Sequence, residues 1–309
     1  MKNNQLMIYG AYGYAGELMV REAVAQGLRP IIAGRDDEKL KPIATELSLE
    51  CRAFGVRNTG SNLQDISVLL NCAGPFSATA EPLARACLAQ QIHYLDITGE
   101  IDIFRKCHAL DEEARQQNVL ILPGAGTDIV PTDCLAAMLK EKLPVATRID
   151  LALSFGTNPS IGTVNTMIES FGKGGLIREG GMLKVVSNAF QMRKIPFQNK
   201  PQWAMTIPWG DVFTSGISTG VPDGAVYMAM PRMSIYMIRL TNPVKGILNT
   251  QFGQKITKRL AGWLMKKGPD AKALEAGRGQ FWGEAEAPDG EKLEMTMSTP
   301  NVYALTATV

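Results

Sequence analysis

The chain has 309 residues, 45% of them apolar and 20% charged, with a formal net charge of +2. That length predicts two domains with cores of their own, and the near-neutral balance gives no reason to expect nucleic acid or an acidic membrane as partner. Five scattered cysteines and two histidines, without C-x-x-C or H-E-x-x-H spacing, argue against a disulfide frame and against a zinc or haem site.

The first predicted element is a short apolar strand, Leu6 to Tyr9. Gly10-Ala11-Tyr12-Gly13-Tyr14-Ala15-Gly16 follows at once, and then an amphipathic run from Glu17 to Gln26. Strand, glycine loop and helix in that order form the context in which such a motif binds a dinucleotide. Gly10 and Gly13 shape the turn and bring backbone close to a pyrophosphate, while helix-terminal amides and the helix dipole face the anion. Gly16 lets the helix pack closely on the strand. The spacing is G-x-x-G-x-x-G, with Ala11 where the commoner pattern carries a glycine. Gly10, Ala11, Tyr12, Gly13, Tyr14 and Ala15 are therefore the expected cofactor contacts.

A second strand, Leu28 to Ala33, ends in Gly34-Arg35-Asp36. An acidic residue at that strand end suits the ribose 2′-OH of NAD, whereas an arginine suits a 2′-phosphate. Arg35 comes first and can grip phosphate in a bidentate way; Asp36 is expected to cap the helix Asp37 to Leu47. Gly34 and Arg35 thus join the expected site, and NADP(H) is favoured over NAD.

Further strands are expected at Val68–Cys72, Tyr94–Ile97 and Val119–Leu122, with helices at Ala80–Gln90 and Ile103–Gln117. This alternation predicts a Rossmann-type, doubly wound parallel sheet that binds its ligand beyond the carboxyl ends of the strands. Three loops lie there. The small residues Cys72, Ala73, Gly74 and Pro75 let backbone border a ligand, and Phe76 is expected near the nicotinamide. Asp96-Ile97-Thr98-Gly99-Glu100 ends the next strand, and a third loop runs from Pro123 to Asp128 and on to Asp133. Asp96 and Glu100 are the first candidates for orienting a substrate or relaying a proton, with Asp128 next; helix capping and loop bracing use the same residue types.

From about Asp133 the texture changes, with a helix at Asp133–Leu143 and an alternating strand at Arg148–Phe155. A glycine-rich stretch, Gly172 to Gly181, contains Arg178. Strand-like pieces follow at Val226–Met230 and Ser234–Leu240, then a basic amphipathic helix around Gly246–Lys267. A hairpin, Gln280–Glu286 and Lys292–Ser298, turns at Pro288-Asp289-Gly290. This predicts a second α+β domain on a mixed or antiparallel sheet. The expected division is a cofactor domain over 1–132, with 300–309 packing back on it, and a substrate and oligomer domain over 133–299. The start at a strand and the lack of any run of transmembrane length predict a cytoplasmic protein without an integral membrane segment, and a homodimer is a natural assembly.

Two motif matches carry little. Gly216-Ile217-Ser218-Thr219-Gly220 fits a nucleophile elbow, but no histidine follows His108. No tyrosine has a lysine four residues on. Met205, Met228, Met230, Met233 and Met237 suit a core or a subunit interface, and less readily an apolar ligand pocket.

The segments GAYGYAG, AGRDDEKL, LLNCAGPF, CLAQQIHYLDITGE and GAGTDIVPTD together resemble the saccharopine dehydrogenase-like oxidoreductases, most of all the branch with trans-acting enoyl reductases. The resemblance is dense over Leu6 to Asp133 and thinner beyond. It implies that the glycine loop, Arg35 and Ala73-Gly74-Pro75-Phe76 hold NADP. The expected activity is NADPH-dependent reduction of a polarised C=C bond in a small, acyl or polyketide-like substrate. The alternatives are a C=N reduction of saccharopine type, or a regulatory protein that holds NADP without turning it over.

Overall fold

The computed structural model describes residues 5–155, 174–240, 242–244, 250, 277–301 and 305–306. The chain divides into two compact units, Met1–Asp128 with Tyr303–Val309, and Ile129–Val302.

The first unit carries a six-stranded sheet, β1 (Leu6–Tyr9), β2 (Ile31–Gly34), β3 (Cys51–Ala53), β4 (Val68–Asn71), β5 (His93–Asp96) and β6 (Ile121–Leu122), in the order β3-β2-β1-β4-β5-β6. Every pairing is parallel. Successive strand residues face opposite ways, so Met7 and Tyr9 enter one core layer and Ile8 the other. Helices α1 (Tyr14–Ala25) and α2 (Asp37–Leu47) bury Met19, Val20, Leu40 and Ile43 on the Ile8 side. Helices α3 (Phe76–Ala89), α4 (Ile101–His108) and α5 (Asp111–Gln116) cover the other face. The order reverses between β1 and β4, which places the switch point beside the glycine loop.

Two expectations shift here. The single helix at Ile103–Gln117 is two short ones, and β3, too short and polar to stand out, completes the sheet edge.

In the second unit α6 (Val130–Lys142) precedes a mixed sheet. Its strands are β7 (Arg148–Phe155), β8 (Gly175–Glu179), β9 (Met182–Val186), β10 (Met192–Pro196), β11 (Pro201–Ile207), β12 (Asp223–Ala229), β13 (Arg278–Glu286) and β14 (Lys292–Pro300). The order is β10-β11-β12-β7-β13-β14, with the β8–β9 hairpin on β12. Only β12 and β7 pair in parallel among these strands. Helix α6 rests on β13 at Gly283, where a Cβ would come 2.6 Å from Leu139 Cδ1. The other face packs Ala152, Ile195, Tyr227 and Trp282. Beside them Arg193 makes two hydrogen bonds to Glu284, at 3.1 and 3.0 Å, with its guanidinium 4.7 Å from the Trp282 ring.

The closing hairpin turns as expected, with Gly290 at φ +89°. The piece Ser234–Leu240 is not a strand but part of helix α8 (Arg232–Leu240), which starts after Pro231 and buries one residue, Ile235, in place of an alternating face. Ser218 lies inside α7 (Asp211–Thr219), its hydroxyl donating to Asp133 at 2.9 Å, so the Gly216–Gly220 match is a helix end capped by Gly220 and not an elbow. Met205 and Met228 are buried, whereas Met233 and Met237 are exposed. The basic run at Gly246–Lys267 lies outside the described residues apart from Thr250. Among the described residues no helix is long and apolar enough to cross a membrane, and no three metal-ligating side chains are grouped.

Candidate functional site

The loop after β1 stays tied to the sheet, with the Gly10 amide donating to Ala33 O at 2.7 Å and Ala11 to the same oxygen at 3.2 Å. Gly10 sits at φ +86°, and a Cβ there would lie 2.7 Å from the Ala73 amide nitrogen, so the β1 and β4 loops touch through backbone. At Gly16 a Cβ would fall 2.2 Å from Gly10 O. The first turn of α1 is thereby seated on the loop that precedes it. Gly13 differs. Its φ of −77° suits any residue, and a Cβ would meet only Gly10 O, at 3.2 Å. No side chain caps α1, so the amides at the start of the helix are left for an anionic group. The geometry fits a pyrophosphate. Ala11 is fully buried, its methyl in the core, so only its backbone can border a ligand.

At the end of β2, Gly34 makes room for a neighbour: a Cβ there would lie 2.6 Å from the Tyr12 ring. Tyr12 thus lies across the strand end, with Lys39 Nζ 5.6 Å from its ring centre. Arg35 is exposed and forms no hydrogen bond or ion pair among the described residues. Burial and Tyr12 push the Tyr9 phenol above its usual pKa, and the Arg35 guanidinium pulls it back, which puts that charge near the β1 end. Asp36 accepts from the Lys39 amide and caps α2 as expected. Lys39 is a second cation at this corner that sequence reading missed; a lysine three residues after a helix cap was the available signal.

The remaining candidates separate. Cys72 turns its thiol inward, 3.1 Å from Met19 Sδ, and burial pushes it far above the usual thiol range. Its backbone, with Ala73, Gly74 and Pro75, forms the loop after β4, and the Gly74–Pro75 peptide is cis. Phe76 opens α3 and packs partly against the core. Asp96 is wholly buried. Its Oδ1 accepts from the Thr98 and Gly124 amides at 3.0 and 2.9 Å, and its Oδ2 accepts from Tyr94 Oη at 2.8 Å. Asn71 Nδ2 in turn donates to Tyr94 Oη at 3.1 Å, so the ends of β4, β5 and β6 are laced through one carboxylate. Burial raises the Asp96 pKa, and these hydrogen bonds oppose the rise. Glu100 is half-buried at the start of α4, its amide donating to Thr98 Oγ1.

Asp128 is half-buried with Oδ2 against Gly99, and burial pushes its carboxyl up to about 6. Thr127 is held by Thr306, which accepts from its amide at 3.1 Å. A depression bordered by Gln5, Arg29, Glu50 and Arg52 lies at the amino-terminal ends of β1–β3, the opposite end of the sheet from these loops.

Residues 6–122 match the family described as saccharopine dehydrogenase NADP binding domain. A rat protein named saccharopine dehydrogenase-like oxidoreductase is 25% identical over 231 residues, 65% of this chain and 53% of its own. A Mycobacterium tuberculosis protein provisionally named a trans-acting enoyl reductase is 28% identical over 205 residues, 60% of this chain and 44% of its own. The chain spans about half the length of the curated relatives it matches. Among solved structures, apo saccharopine dehydrogenase (L-Glu forming) from Saccharomyces cerevisiae aligns over 99% of this chain and 89% of that one, with a TM-score of 0.64. At 9% identity this likeness establishes the fold alone. The glycine cradle, the strand order and the family match agree on residues 6–122 as an NADP-binding domain of the saccharopine dehydrogenase type, and the chain is similar beyond it to the saccharopine dehydrogenase-like oxidoreductases.

Proposed function

We propose that the protein is an NADPH-dependent reductase that delivers hydride to a C=C bond polarised by a neighbouring carbonyl. The observation that carries the reading is the close-packed glycine cradle at Gly10, Gly13 and Gly16, at an uncapped helix start and within a family-matched NADP-binding domain. When bound, the cofactor would supply the hydride. The protein's part is to bind, orient and protonate. Backbone at Gly10–Ala15 would take the pyrophosphate, Tyr12 would border the adenosine, and Arg35 with Lys39 would hold the 2′-phosphate. Cys72 to Pro75 would border the cofactor through backbone, while Asp96 keeps the strand-end loops in register.

Asp128 is the candidate proton donor, because a carboxyl with a pKa of about 6 keeps a protonated fraction near neutral pH. The preference for a C=C substrate rests on the M. tuberculosis relative's name and on the resemblance read from the sequence. All five cysteines are free, in keeping with a reducing compartment such as the cytoplasm.

The test is NADPH oxidation by the purified chain against enoyl thioesters, enones, and keto acid–amine mixtures. Turnover of the first two classes alone is expected. Turnover of the mixtures alone would move the reading to C=N reduction, and NADPH binding without turnover of any class would leave a nucleotide-binding protein.

A further inference from the structure

Charge is segregated along this chain in a way that its net value conceals. Between Asp223 and Asp270 there is no Asp or Glu, while eight Lys or Arg residues occur, so the rest of the chain is net acidic. Helix α8 is the described helix within that stretch. Its Met233, Tyr236, Met237 and Leu240 follow i, i+3, i+4, i+7 spacing, which aligns them on one face. They are 72%, 38%, 59% and 72% exposed, whereas Ile235 is fully buried. One residue anchors the helix, and its larger apolar stripe faces outward.

Two arginines flank the stripe on one side. The Arg232 guanidinium lies 5.0 Å from the Trp203 ring centre, and its Nε donates to Tyr236 Oη at 3.1 Å. Arg239 donates to Ala189 O at 2.8 Å, next to Phe190, which is 46% exposed. A contiguous apolar surface of this kind marks an interaction site. Nucleic acid would use the cations and leave Met and Leu idle. A protein partner would use the stripe without calling for an acid-free stretch. An anionic lipid surface uses both, since apolar side chains enter the acyl boundary and cations meet the headgroups.

We propose that α8 docks on an anionic lipid surface, lying along the interface with Met233, Met237 and Leu240 inserted and Arg232 and Arg239 beside the headgroups. Nine residues are too few to span a bilayer, so the contact is peripheral.

The test is flotation of the full chain with vesicles of phosphatidylcholine alone and of phosphatidylcholine mixed with phosphatidylserine. Binding to the mixed vesicles is expected to be at least about tenfold stronger and to weaken as salt is raised. The double substitution Met233→Glu with Met237→Glu, at solvent-facing positions, should lower that binding by about tenfold or more with an unchanged thermal melt. Met233→Leu with Met237→Leu should retain it. The proposal is overturned if the wild-type chain does not float with the mixed vesicles, or if the Glu variant floats as well as wild type. A concentration-dependent dimer that the Glu variant dissolves, without vesicle binding, would equally overturn it and assign the stripe to a second copy of the chain. NADPH affinity measured on the same samples should not change, which keeps this outcome separate from that of the proposed reductase activity.

Discussion

The Tyr94 hydroxyl does two things at once: it accepts from Asn71 and donates to the buried Asp96 carboxylate. Tyr94→Phe removes that donor and leaves Oδ2 without it in the interior, a loss of about 1–3 kcal/mol. Burial already holds the Asp96 pKa above its unfolded value, so its ionisation costs stability as pH rises through the interval between the two. Removing the phenol raises the folded pKa further. The destabilisation should therefore be larger at neutral pH than at acid pH, where more of the carboxyl is protonated. Denaturant titrations giving the same difference at both pH values would show that the phenol does not hold the charge.

Asp128 answers a different measurement. If it donates the proton, kcat falls as pH rises through about 6, and Asp128→Asn removes that limb along with most of the turnover. A rate that instead rises through that pH would make Asp128 a base. If Arg35 holds the 2′-phosphate, NADPH should bind at least tenfold more tightly than NADH, a difference of about 1.4 kcal/mol or more, and Arg35→Ala should abolish most of it. Calorimetry giving equal affinities in the wild-type chain would remove Arg35 from the site. The place of Arg35 at the end of β2 could be read from the sequence, but the inward thiol of Cys72 and the bracing by Asp96 depend on partners distant in sequence, which no local pattern encodes.

Within the strand–loop–helix element the three glycines have separable duties. Gly13→Val keeps an allowed backbone and puts its Cβ 3.2 Å from Gly10 O at the helix start, so NADPH binding should be lost while the thermal melt falls only slightly. Gly16→Ala puts a methyl against Gly10 O and should instead lower the melting temperature. If the Gly13 variant stays folded and retains NADPH binding in a fluorescence titration, the nucleotide lies elsewhere. This element was legible because glycine spacing, strand and helix are contiguous in the chain. The parallel character of the first sheet was legible for a related reason, since its strands other than β3 alternate with helices along the chain. The second sheet was less so. β10 and β11 carry few cues: Arg193 and Lys194 interrupt one, and the other begins at a proline. Helix α8 read as a strand because Ile235, Tyr236 and Ile238 suit strands, and what decided the matter was that the fold buries only Ile235 there.

At the scale of the whole molecule, the cofactor and the natural reporter fall in different units. The glycine cradle lies in the first unit, whereas all four tryptophans, Trp203, Trp209, Trp263 and Trp282, have positions within Ile129–Val302. Each unit has a hydrophobic core of its own, around Met7, Leu69 and Tyr94 in the first and around Trp282, Tyr227 and Ile195 in the second. A ligand that binds only the native first unit stabilises it by mass action, about 2.7 kcal/mol at a hundredfold excess over Kd. Backbone circular dichroism follows both units, and tryptophan fluorescence follows the second. NADPH is therefore expected to shift the part of the circular dichroism melt that fluorescence does not follow, and Gly13→Val should erase that shift. Equal shifts by both probes would show that the two units unfold as one cooperative body. A shift confined to fluorescence would place NADPH on the second unit and contradict the site at Gly10–Ala15.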